Sequence, residues 1–101
     1  MSEWIRLTLI FPPQLETPVT QALSADPRMP GFTLLKAEGH TSDFASASAA
    51  ELVRGRVERR LLWLLIPAEM KDEVLQVMRT HVDAHELRWW TETVLEMGSL
   101  E

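Results

Sequence analysis

Apolar and polar residues alternate from Trp4 to Phe11. Ile5, Leu7, Leu9 and Phe11 fall on one side, and Arg6, Thr8 and Ile10 on the other. A period of two is that of a β-strand with one core face. Pro12-Pro13 ends it, because proline cannot donate to a sheet ladder. The spacing then lengthens. Leu15, Val19, Ala22 and Leu23 stand at i, i+4, i+7 and i+8, one face of a helix over about 14–25. Thr17 is a competent N-cap and Pro18 suits the first helical position, so the regular helix is expected to begin at Pro18. Asp26-Pro27 closes it and Pro30-Gly31 makes a turn.

A second strand is predicted from Phe32 to Gly39, with Phe32, Leu34 and Lys36 on one face. The pattern breaks over 40–50, a small, polar, aperiodic stretch that reads as a loop. Ser48 with Glu51 fits a capping box for a helical turn over 48–53. The third strand, Val57 to Ile66, begins by alternating: Val57, Arg59 and Leu61 stand against Glu58 and Arg60. It ends as the continuous apolar run Leu61–Ile66. Such a run marks a strand buried on both faces, or one whose second face meets another subunit.

Past Pro67, the residues Met70, Val74, Val77, Met78 and Val82 form the stripe of a helix over about 68–82. Acidic residues gather at its start, and Arg79 and His81 at its end, as the helix dipole favours. The fourth strand spans Leu87 to Leu95. Leu87, Trp89, Thr91, Thr93 and Leu95 lie on one face; Arg88, Trp90, Glu92, Val94 and Glu96 lie on the other. Trp89 is expected in the core and Trp90 at an interface.

The order β-α-β-β-α-β predicts an α+β, ferredoxin-like fold: one domain over 1–101, a four-stranded antiparallel sheet with two helices on one face. Trp90 and Val94, with the apolar part of strand three, leave the second sheet face partly apolar. A face of that kind predicts a homo-oligomer.

Composition narrows the function. The chain has 101 residues, 46% hydrophobic and 25% charged, as in ordinary globular domains. It has no cysteine, which excludes disulfides, zinc-thiolate sites and thiol catalysis. The start, Met-Ser-Glu-Trp-Ile-Arg, lacks the basic and apolar regions of a secretory signal. Leu61–Pro67, the longest apolar run, is far short of the roughly 20 residues that span a bilayer. The expectation is a cytoplasmic protein that is not membrane-embedded. A net charge of −5 argues against nucleic-acid binding. Arg54, Arg56, Arg59 and Arg60 crowd one segment, either as a solvated strand face or as an anion site, since guanidinium groups suit phosphate and carboxylate.

Metal-ligand candidates are His40, His81 and His85, with Asp43 and Asp83 nearby. Imidazole with carboxylate suits a divalent copper, nickel or zinc ion. His81 and His85 are four apart, but the helix is expected to end near Val82; the alternative is ordinary surface histidines. Met70 and Met78 lie on the core stripe and read as core filling. Ser42, Ser46 and Ser48 have no nucleophile-elbow context, no paired acids mark a cleft, and no phosphate loop is present. The chain is expected not to be an enzyme.

Gly31-Phe32-Thr33, Gly39-His40-Thr41-Ser42 and Ala50-Glu51-Leu52-Val53-Arg54-Gly55-Arg56 together resemble the PII-like/CutA-like superfamily, in particular a small branch often associated with heavy-metal efflux systems. The resemblance covers Trp4 to Leu100. It implies a trimer of ferredoxin-like subunits in which 40–54 corresponds to the T-loop, which in PII proteins senses small ligands with the intersubunit cleft and contacts targets. A membrane transport or regulatory protein is the implied partner. Where PII proteins carry a glycine-rich phosphate loop, Thr80–Glu86 has no glycine and two acids, so nucleotide binding in that manner is not expected. The leading function is a PII-like sensor that binds a metal ion or small ligand between subunits and signals through 40–54, in heavy-metal homeostasis. The alternatives are an anion- or nucleotide-binding module using Arg54, Arg56 and Arg60, and a structural trimer.

Overall fold

The four period-two stretches become strands: β1 (Trp4–Phe11), β2 (Thr33–Gly39), β3 (Val57–Pro67) and β4 (Arg88–Thr93). The computed structural model describes residues 3–40 and 57–101. The rest of the expected loop, with its helical turn over 48–53, lies outside the described residues. The strands form one antiparallel sheet in the order β2-β3-β1-β4. Two helices, α1 (Glu16–Ala25) and α2 (Lys71–His81), cover one face. This is the expected ferredoxin-like arrangement.

Register explains the core. Leu7 pairs with Leu64 on one side, and Leu9 pairs with Leu62. These four side chains have no solvent exposure, and Phe11, Ile66, Val19, Val74 and Met78 close around them at 1% exposure or less. Each such burial stabilises by roughly 1.5–3 kcal/mol relative to exposure. The predicted stripes face this cluster, with Leu75 added to that of α2. Met29, Phe32, Leu34 and Leu87 pack around the rim.

Local chemistry sets the helix boundaries, while β4 is shorter than expected, Arg88–Thr93. The regular part of α1 starts at Glu16, not at Pro18, after a 3-10 turn over Pro13–Leu15. Pro18 is tolerated there because the N–H groups of a first turn have no intrahelical partner. Asp26 is extended, with φ −97° and ψ 112°, as a residue before proline tends to be. The 68–82 helix opens with a 3-10 turn, Ala68–Met70, and ends at His81.

Trp89 departs from expectation. Its register opposite Leu9 puts it on the helix-side face, yet it is 43% exposed and not in the core. β4 is an edge strand, and all six of its residues are exposed. The helices cover the central strands, and the Lys71 ammonium lies over Trp89, 5.1 Å from the ring centre.

Leu64→Ala is expected to cost about 2–5 kcal/mol in urea unfolding. Leu65→Ala, one residue along but on the uncovered face and 50% exposed, is expected to cost well under half of that.

Candidate functional site

The sheet face away from the helices is where this chain concentrates exposed aromatic surface. The β1 pairing fixes its central row: Thr8 lies between Trp63 of β3 and Trp90 of β4. Leu61, Ile10 and Arg88 form the next row, and Leu65, Arg6 and Glu92 the row on the other side. Trp4 and Trp90 are 37% and 42% exposed. Three of the four tryptophans thus share one face, as the apolar character of strands three and four predicted.

A polar cluster lies within this face. The Arg6 guanidinium sits 4.4 Å from the centre of the Trp63 ring. Its Nη2 donates to both carboxylate oxygens of Glu92 at 2.9 Å, and its Nε donates to Oε1 at 3.2 Å. Trp90 Nε1 donates to the same Oε1 at 3.3 Å. Thr8 is wholly buried, and its hydroxyl has no hydrogen-bond partner among the described residues. Sequence reasoning missed this cluster, because Arg6 and Glu92 are 86 residues apart. An arginine alternating with core residues was the available signal.

The pleat sets Arg59 and Arg60 on opposite faces. Arg60 Nε donates to Glu16 Oε1 at 2.7 Å, tying β3 to the start of α1, and its side chain is 14% exposed. Arg59 pairs in register with Ala37 and lies on the opposite face, its Nη1 donating to the Glu58 carbonyl. Arg54, Arg56 and Asp43 lie outside the described residues.

His40 follows the last residue of β2, its Nε2 3.7 Å from Glu38 Oε2. His81 is the last residue of α2 and His85 belongs to a separate 3-10 turn, Ala84–Glu86. Val82 between them is extended, so the two imidazoles do not share a helical face. His85 Nδ1 is 4.0 Å from Asp83 Oδ1. Among the described residues, no three His, Asp or Glu side chains are grouped to hold a metal.

His81 instead lines an open groove of about 630 Å³ with Pro18, Gln21, Ala22, Ala25, Asp26 and Pro27. At its end, Asp26 accepts from the Arg28 backbone N–H at 2.9 Å, from Nε at 3.0 Å and from Nη2 at 2.6 Å. The Arg28 side-chain bonds, then its backbone bond, hold the Asp26 carboxyl at about 2 against an ordinary 3.8, with a smaller contribution from His81. A lowered carboxyl pKa adds stability that is complete above 3.8 and lost as pH falls through about 2. Asp26→Asn is therefore expected to flatten the fall of the melting temperature between pH 4 and pH 2, read by circular dichroism.

Comparison with curated proteins gives no match. Solved structures share the fold. A DUF3240 family protein from Shewanella baltica superposes with a TM-score of 0.76 at 19% identity, over 100% of both chains. Arabidopsis thaliana PII bound to citrate gives 0.64 at 14% identity, over 92% of this chain and 78% of that one. CPII, a nitrogen regulatory PII-like protein from Thiomonas intermedia bound to ADP, AMP and bicarbonate, gives 0.63 at 15% identity, over 90% and 89%. The fold is therefore that of PII-like proteins. Residues 1–101 match the family described as "Protein of unknown function (DUF3240)", and the chain belongs to that family.

Proposed function

We propose that this chain is a non-enzymatic, PII-like regulatory protein. It assembles as a homo-oligomer, a trimer, binds a small ligand between subunits and signals through the 40–54 segment to a transport or regulatory protein in the cytoplasm. The observation that carries this is the uncovered sheet face: a PII-like fold that leaves Trp4, Trp63, Trp90 and Leu65 on one surface has the aromatic-rich, lysine-free composition of an interface centre.

Small anions are the favoured ligand class. The two PII-like neighbours above hold citrate in one case and ADP, AMP and bicarbonate in the other, and Arg54 and Arg56 stand in the segment that joins β2 to β3. Arg60 contributes less than its place in the sequence implies, because Glu16 takes its guanidinium. The second reading is a divalent copper, nickel or zinc ion. It draws on His40 beside Glu38, with Asp43, His81 and His85 supplied across subunits. The CutA-like kinship and a place in heavy-metal homeostasis belong to that reading.

Thermal unfolding in the presence of ADP, AMP, bicarbonate or citrate, and separately of copper, nickel or zinc, tests both. A ligand selective for the native state raises apparent stability by about 2.7 kcal/mol at 100-fold excess over its Kd. The anion reading expects that rise to vanish in Arg54→Ala with Arg56→Ala. The metal reading expects it to vanish in His40→Ala. No stabilisation by any of these would leave only the structural trimer, and a monomer in sedimentation would remove that as well.

A further inference from the structure

The polar cluster on the open face has the chemistry of a binding site whose ligand is part of the same chain. Trp63 supplies a π face, and a cation is attracted to such a face within about 6 Å. Glu92 supplies a carboxylate that takes two donors of one guanidinium, the geometry that distinguishes arginine from lysine. The Trp90 N–H holds that carboxylate in place. Thr8, flanked by both tryptophans, lies on this face without solvent exposure, and among the described residues its hydroxyl has no partner. A surface threonine on an open sheet face would be solvated, so the covering is built in.

We propose that Trp63, Glu92 and Trp90 form a guanidinium seat at the centre of the open sheet face, and that its filling by Arg6 keys this face for a second copy of the chain. The keying role rests on the oligomeric reading above; the seat itself does not. A second copy is the occupant that charge favours. The described part of the face carries Arg6, Arg59 and Arg88 against Glu92, a net +2, on a chain whose net charge is −5. The rest of each copy is therefore acidic and complementary to the face. Face-to-face pairing would oppose like charges, whereas head-to-tail packing, the contact from which rings are built, sets the face against that acidic remainder. With Arg6 in its seat, the centre of the face presents a neutralised, ordered surface; without it, Glu92 would be left as a bare carboxylate among aromatic rings.

Arg6→Ala is the test, with ethylguanidinium as the probe and ethylammonium as its control. Circular dichroism establishes that the variant folds. Millimolar ethylguanidinium is expected to give a saturable change in tryptophan emission in the variant, with no response to ethylammonium and none in the unsubstituted protein. Trp90→Phe, added to Arg6→Ala, is expected to weaken that response several-fold while keeping an aromatic ring in place. In sedimentation velocity, Arg6→Ala is expected to associate at least tenfold more weakly and to recover with ethylguanidinium. A variant that gives no saturable emission change overturns the seat. One that assembles like the unsubstituted protein overturns the keying role. An unsubstituted protein that sediments as a monomer overturns the oligomeric reading and the keying role with it, while the emission titration still decides the seat.

Discussion

Side chains of β1 and β3 alternate between two faces, and among the described residues helices cover only one of them. Ile5, Leu7, Leu9 and Phe11 with Leu62, Leu64 and Ile66 meet α1 and α2 and hold the fold. The intervening positions carry Arg6, Thr8 and Ile10 with Leu61, Trp63 and Leu65, and no element of the described chain lies over them. Everything particular to this protein follows from how that second face is managed. The forces on it are smaller. An exposed ion pair contributes about 0–1 kcal/mol and a cation over an aromatic ring about 0.5–1 kcal/mol, against about 2–5 kcal/mol for one buried leucine of the core. The Arg6 cluster therefore orders a surface without being needed for the fold.

The same alternation separates residues that adjacency in the chain puts together. Arg59 and Arg60 are neighbours in sequence, yet one lies on the open face and the other reaches Glu16 on the helix side. Of the four arginines within seven positions, the pleat sets these two apart. Arg60 ties β3 to the first residue of α1.

Helix ends govern the remaining polar chemistry. α2 stops at His81 because Val82 turns to an extended conformation, which sends His85 into a separate turn. α1 stops where proline follows Asp26, and the freed Asp26 carboxylate takes Arg28 two residues on. That pair is local in sequence, an Asp-Pro-Arg turn, and needs no tertiary structure to form. The groove beside it does, since it requires α1 and α2 to be set side by side.

Periodicity in the sequence determined the order and type of the strands and α-helices among the described residues, because a residue's face within a strand or helix depends only on spacing. The core faces of β1, α1 and β2, and the stripe of α2, were legible for that reason. So was the apolar second face. What the sequence could not supply was partnership between distant elements. Trp89 lies on the face that spacing assigns, yet it stays outside the core because β4 is an edge strand beyond the reach of the helices. Arg6 finds Glu92 and Trp63 only when β1 is laid between β3 and β4. Spacing tells each side chain which way to point; only the order of strands in the sheet decides what it meets there.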